Sequence, residues 1–138
     1  MVDLILLLFL NPIIHHSFPM KIHNFKELKV WQKAMDVAAQ AYILTASYPK
    51  EEKYGLISQI QRAAVSVPSN LAEGCGRVSV KELQHFVSIA MGSSYELETQ
   101  MILACRFGYI FERSLKKFEL ELLPVQKMLF GFYNSLEK

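Results

Sequence analysis

One segment constrains the fold of this chain more than any other: it starts at Gln59, ends at Ser79 and reads QIQRAAVSVPSNLAEGCGRVS. A helix turns by about 100° per residue, so its polar side chains fall within about 100° of arc on one face. They are Gln59, Arg62, Ser66, Ser69, Asn70 and Glu73, here called the polar seam. The opposite face is apolar. The pattern predicts a helix that packs closely against other helices.

The spacing of apolar residues predicts four helices in all, over about residues 25–46, 54–73, 79–107 and 112–136. Turn and capping signals separate them. Glycines at 74 and 76 indicate a helix end with a left-handed cap, and Ser79 with Glu82 has the spacing of a capping box. No segment alternates as a strand would. The sequence therefore predicts an all-α protein, an antiparallel up-and-down four-helix bundle.

Two prolines fall inside these helical patterns, Pro68 in the second helix and Pro124 in the fourth. A proline removes a backbone hydrogen bond and crowds the carbonyl four residues earlier, so a kink is expected at both places. At Pro124 a break between two shorter helices is the alternative.

The domain is predicted to cover residues 20–138, with residues 1–19 as an extension outside it. The apolar run Leu4 to Leu10 is too short to span a bilayer, which takes about 18–20 residues, and no basic residue precedes it. Three interpretations stay open: a start misassigned upstream of Met20, a genuine extension, and an export or membrane signal. The first is favoured, and no membrane association is expected.

Composition excludes several function classes. The 138 residues suffice for one domain, and a formal charge of +2 permits a nucleic-acid partner without requiring one. The two cysteines fit no zinc or redox spacing and indicate reduced thiols in a cytoplasmic protein. No nucleophile–base pair accompanies the polar seam, and the histidines are scattered. We therefore expect no enzyme, no cofactor and no metal site.

Three strings give the chain a family resemblance: FKELKVWQKAMDVAAQAY, YPKEEKYGLISQIQRAAVSVPSNLAEGCGR and GSSYELETQM. They resemble the 23S rRNA intervening-sequence protein family, over Phe25 to Leu136. The resemblance implies four-helix bundles assembled into pentameric rings. A related branch is the accessory protein of diversity-generating retroelements, a basic pentamer that works with a reverse transcriptase and binds nucleic acid. Gln61 departs from the family, whose members usually carry a second basic residue there.

The polar seam has three interpretations. As a structural feature, it fixes helix register or makes a subunit contact. Arg62 can reach Gln59 and Ser66, but Glu73 is about 16 Å away along the helix. The partner expected for Arg62 is therefore Glu96 on the third helix, within one subunit or across a boundary. A ligand or nucleic-acid site is the second interpretation, and an enzymatic site the least supported.

Basic and apolar surface residues suggest an assembly. Eight basic residues lie on one face of the first helix or around the turns: Lys26, Lys29, Lys33, Arg77, Lys81, Arg113, Lys116 and Lys117. They form either an ordinary solvated surface or, in a ring, a basic exterior. The third helix is apolar around most of its circumference and exposes Met91, Tyr95, Ile102 and Leu103, with further aromatic surface at Phe107, Phe111, Phe130 and Tyr133.

These features lead to one favoured function and one rival. The favoured function is a non-enzymatic homo-oligomer, a pentamer by resemblance, that binds RNA or an RNA–DNA hybrid through its basic exterior. The rival is a protein–protein adaptor without nucleic-acid contact, whose partner is a protein such as a reverse transcriptase.

Overall fold

The computed structural model describes residues 24–137 and contains four helices. These are α1 (Lys29–Thr45), α2 (Leu56–Cys75), α3 (Val80–Arg106) and α4 (Glu112–Ser135). Single 3-10 turns, Phe25–Glu27 and Lys50–Glu52, precede α1 and α2. There is no strand between residues 24 and 137, which confirms the predicted fold class. Residues 1–19 lie outside the described range, so their assignment as an extension stays a prediction.

Each of the four helices packs against two others. Each contacts its sequence neighbours, α1 also contacts α4, and α2 and α3 share the most extensive contact. Within residues 24–137, no Cα atom of α1 lies within 8 Å of one in α3, and none of α2 lies within 8 Å of one in α4. Residues 76–79 connect α2 to α3 and residues 107–111 connect α3 to α4, and such short links join antiparallel neighbours. The bundle is therefore up-and-down, as predicted.

Small residues bring the helices close together. Ala41 and Ala64 are almost completely buried, and larger side chains fill the centre of the bundle between all four helices. The fully buried large side chains include Ile60, Leu71, Leu97, Met101, Leu122 and Leu129. The predicted apolar face of α2 is buried, apart from the half-buried Ile57 at its start.

The start of α3 follows its sequence signal, whereas the end of α2 does not. The capping box is present: Ser79 Oγ accepts from the Glu82 N–H at 3.1 Å, and Glu82 Oε2 accepts from the Ser79 N–H at 3.2 Å. The predicted left-handed cap after α2 is wrong, because Gly76 has a φ of −86°. Among residues 24–137, only Gly108, after α3, has a positive φ, of 80°.

Gly74, in the last turn of α2, has a role in helix packing rather than in capping. It lies inside α2 and is buried against α3. A Cβ at this position would lie 2.8 Å from the Phe86 Cβ and 3.0 Å from the Leu83 Cδ1. The glycine therefore permits the close approach of α2 to α3.

Both prolines are accommodated inside continuous helices. Pro68 lies within α2 and Pro124 within α4. The alternative break at Pro124 is therefore wrong, while the two kinks stay predictions. The first helix starts later than predicted, because the extended backbone of Leu28 (φ −69°, ψ 122°) separates the 3-10 turn from α1.

Candidate functional site

Two residues of the polar seam form a hydrogen-bonded cluster between α2 and α3. Asn70 Nδ2 donates to the Ser66 carbonyl at 2.8 Å and to Ser66 Oγ at 2.9 Å. Ser66 Oγ lies 2.8 Å from Ser93 Oγ of α3. All three side chains are half-buried or buried. The sequence missed Ser93, although it lies in the GSSYELETQM string that carries the resemblance.

The other seam residues do not join this cluster. Gln59, Arg62, Ser69 and Glu73 are exposed. No hydrogen bond or ion pair links Arg62 to another residue of the described chain, so neither its expected reach to Gln59 and Ser66 nor its pairing with Glu96 occurs within one chain. Glu96 Oε1 instead accepts from Gln100 Nε2 at 3.1 Å. A contact between Arg62 and Glu96 across a subunit boundary stays a prediction.

Glu73 has a local partner. Its Oε1 lies 2.8 Å from Arg77 Nη2 across the last turn of α2. The Arg77 guanidinium also lies 4.7 Å from the centre of the Phe86 ring. Arg77 is therefore the member of the predicted basic set whose charge is compensated.

A groove runs along the outside of α1 and α2. One half, of about 530 Å³ and here called the polar half, is lined mainly by polar residues: Tyr42, Ser58, Gln61, Arg62, Val65, Ser66, Ser69 and Asn70. The other half, of about 510 Å³, is apolar and is lined by Phe25, Trp31, Met35, Ala38, Ala39, Tyr42, Val65, Pro68, Ser69 and Ala72. The halves share Tyr42, Val65 and Ser69, so they are adjacent, and together they are called the α1–α2 groove.

Local contacts hold the walls of this groove. Gln61 Nε2 donates to Thr45 Oγ1 at 3.3 Å, and Thr45 Oγ1 donates to the Ala41 carbonyl at 2.9 Å. At the apolar end, the 3-10 turn folds back so that the Phe25 and Trp31 rings meet edge to face, 5.2 Å between centres. The sequence showed nothing of the Gln61–Thr45 bond, because the two residues lie on different helices.

The predicted basic residues occupy both ends of the bundle. All eight are exposed. The topology places Lys26, Lys29, Lys33, Arg77 and Lys81 at one end, and Arg113, Lys116 and Lys117 at the other. Between residues 24 and 137 the one salt bridge is Arg77–Glu73. The remaining charges therefore face solvent without an acidic partner from the described chain.

A second polar cluster lies where α1 leads into α2. Glu52 Oε2 accepts from the Leu56 N–H at 2.9 Å, and Glu52 Oε1 accepts from the Tyr109 hydroxyl at 3.0 Å. This bond raises the pKa of Tyr109. Tyr48 is buried nearby, its ring 5.5 Å from that of Tyr109. Burial, with a smaller effect from Cys105, raises the pKa of Tyr48 to about 12. The cluster ties both connections at this end together.

The surface of α3 and α4 is apolar in part, as the sequence indicated. Tyr95, Leu103, Phe107, Phe111 and Phe130 are exposed, whereas Met91, Ile102 and Tyr133 are half-buried. The α4 residues Leu120 and Leu123 are also exposed, 72% and 45%. Leu122, which lies between Leu120 and Leu123 in the sequence, is buried in the core instead.

The described residues contain no group of three or more His, Cys, Asp or Glu side chains that could hold a metal ion. None of the helices in the described range is both long and apolar enough to cross a membrane.

The chain is similar to known proteins in sequence and in fold. A family model described as 23S rRNA-intervening sequence protein matches residues 26–131. Among solved structures, the chain is similar to a protein of unknown function from the S23 ribosomal protein family of Bacteroides thetaiotaomicron. The two are 20% identical with a TM-score of 0.68, and the match covers 75% of this chain and 97% of that chain. At this identity the likeness shows the fold alone. No curated protein matches the sequence.

Proposed function

This chain belongs to the 23S rRNA-intervening sequence protein family, and on that premise we propose that it acts as a non-enzymatic homo-oligomer that binds nucleic acid in the cytoplasm. The assembly is a ring of five copies, as the family resemblance implies. Lysines and arginines at the ends of each bundle contact RNA or an RNA–DNA hybrid.

The observation that carries the assembly is an apolar surface on α3 and α4. Gln126 Nε2 of α4 donates to Glu98 Oε2 of α3 at 2.9 Å. Leu123 and Phe130 flank Gln126 along α4, and Tyr95 lies one turn before Glu98, so helical spacing brings the three apolar side chains to one outer face. We call it the α3–α4 face. Its members are 45–57% exposed, and such patches mark association surfaces.

The nucleic-acid contact is supported by uncompensated positive charge. Lys26, Lys29 and Lys33 are exposed at the start of the chain's first helix, without an ion pair to any described residue. The formal charge of one chain is only +2. A closed ring repeats each lysine once per copy, and phosphate binding grows with the number of neutralised contacts. The ring thereby offers more lysine–phosphate contacts than a single bundle can make.

A protein–protein adaptor is the second candidate. The α3–α4 face favours it, because an exposed apolar surface serves a different protein as well as another copy of this chain. A reverse transcriptase is one partner of this kind. In this case nucleic acid is bound only by the partner.

Light scattering on the full chain tests the assembly. We expect a mass of five copies for the natural sequence. Tyr95→Glu and Phe130→Glu each place a charge in the α3–α4 face and should shift the mass toward one copy. Tyr54→Glu is the matched control, because Tyr54 is 88% exposed in the connection before α2. A monomeric natural protein would refute the proposal.

Filter binding to RNA at increasing salt separates the two candidates. Binding through phosphates should weaken steeply between low and physiological salt. The triple variant Lys26→Gln, Lys29→Gln, Lys33→Gln should bind more weakly with a shallower salt dependence. Absence of RNA binding at low salt would remove the first candidate and leave the adaptor.

A further inference from the structure

The α1–α2 groove lies apart from the α3–α4 face and presents chemistry that neither candidate uses. Tyr42 is 47% exposed where the two halves of the groove meet. Arg62 is exposed in the polar half and has no hydrogen-bond or ionic partner among residues 24–137. Ser58 and Ser69 contribute hydroxyls. An accessible aromatic ring, a free guanidinium and hydroxyl groups thus line one concave surface.

These groups match the parts of an unpaired nucleotide. Aromatic side chains stack on splayed bases, Arg pairs with phosphate, and hydroxyl and amide groups bond to sugar and base edges. A duplex keeps its bases stacked, so only a single strand offers a base to the ring. Each half of the groove, about 530 and 510 Å³, has the size usual for small-ligand sites.

We propose that the α1–α2 groove binds a nucleotide of single-stranded RNA, with its base against Tyr42 and its phosphate at Arg62. The inference rests on the proposed nucleic-acid function, and it adds a second site and a strand preference. The basic ends contact phosphates of any RNA, whereas the groove selects an unpaired base.

The walls of the groove are fixed before any ligand arrives. The Gln61–Thr45 bond holds the α1 side of the polar half. On the other side, Asn70 uses its amide N–H groups on Ser66, which is tied to α3 through Ser93. Arg62, Ser58 and Ser69 are left available, since their side chains make no hydrogen bond to a described residue. Gln61 and Asn70 are therefore held in place without a ligand, and the ordering cost on binding falls on Arg62 and Tyr42.

The test measures binding of the full chain to a short fluorescein-labelled single-stranded RNA and to the same RNA paired with its complement. Tyr42→Leu should weaken single-strand binding about tenfold, the usual effect of losing one base stack. Tyr42→Phe keeps the ring and should bind normally. Tyr54→Leu is the matched control, an exposed tyrosine outside the groove. Arg62→Gln should weaken binding and reduce the slope of log K against log salt concentration by the amount expected for about one phosphate contact.

Trp31 supplies a second readout. It is the only tryptophan in the sequence and lines the apolar half of the groove. Single-stranded RNA should quench its fluorescence in the natural protein and in Tyr42→Phe, but not in Tyr42→Leu. Circular dichroism on each variant checks that the helices are intact.

Each result decides between the two proposals. Equal affinities of Tyr42→Leu and Tyr54→Leu for the single strand would overturn the groove site and leave RNA binding by the basic ends standing. Absence of any RNA binding by the natural protein would overturn both. If Tyr42→Leu changes the mass in light scattering but not the RNA affinity, the groove is an interface between copies and the inference is wrong.

Discussion

The hydroxyls of Ser66 and Ser93 lie 2.8 Å apart and join α2 to α3 in the middle of their contact. Asn70 Nδ2 donates to the same Ser66 oxygen at 2.9 Å, so one hydroxyl receives a bond from its own helix and forms another to the next helix. A polar atom in a mostly apolar interface costs free energy unless it is bonded. The pair therefore favours the one register of α2 against α3 that satisfies both hydroxyls.

Loss of this bond should destabilise the bundle. Ser93→Ala removes the interhelical partner, and we expect the free energy of unfolding to fall by about 1 kcal/mol, the usual net value of one hydrogen bond. Urea unfolding measures it. Ser88→Ala is the matched control, since Ser88 is exposed on the same helix. Equal effects of the two substitutions would show that the Ser66–Ser93 bond contributes nothing.

Two glycines should respond in opposite ways to the same substitution. Gly74→Ala places a Cβ 2.8 Å from the Phe86 Cβ, so α2 and α3 must move apart, at a cost of about 1–3 kcal/mol. Gly92→Ala on α3 meets nothing within 4 Å and should stabilise by about 0.5–1 kcal/mol through helix propensity. Thermal unfolding of both variants measures the difference. A stable Gly74→Ala protein would refute the close-approach explanation.

The sequence predicted the bundle well because helix formation here depends on local patterns. Apolar spacing located all four helices, and the Ser79–Glu82 capping box was found because both of its residues lie in one short segment. The start of α1 was misplaced, since the apolar pattern continues through Leu28 although its backbone is extended. The role of Gly74 was missed for the opposite reason: its decisive neighbour, Phe86, lies on another helix.

The candidate site was less predictable than the fold. The polar face of α2 was identified, and Ser66 and Asn70 do bond to each other. Which residue of α3 faces Ser66 depends on the packing register, so Ser93 carried no signal of its own. The α1–α2 groove likewise arises from two helices that are adjacent only after folding. Periodicity shows which face of a helix is polar, but not which residue lies opposite it.

Glu52 should stabilise the end of the bundle where α2 starts. Its carboxylate accepts from the Leu56 N–H at 2.9 Å and from the Tyr109 hydroxyl at 3.0 Å. Glu52→Ala leaves the first turn of α2 without this cap, and we expect a loss of about 1 kcal/mol in urea unfolding. Glu51→Ala is the control, an exposed neighbour in the same turn. If Glu51→Ala costs as much, the effect is one of charge rather than of capping.

Tyr48 should make the protein sensitive to alkali. Burial raises its pKa from 10.0 to about 12 in the folded state, so its contribution to stability is complete below about pH 10 and is lost as the pH rises toward 12. From about pH 9 to about pH 11, the natural protein should lose about 1 kcal/mol more of its unfolding free energy than Tyr48→Phe. The variant keeps the ring against Tyr109 but cannot ionise, so parallel pH profiles in urea unfolding would contradict the prediction.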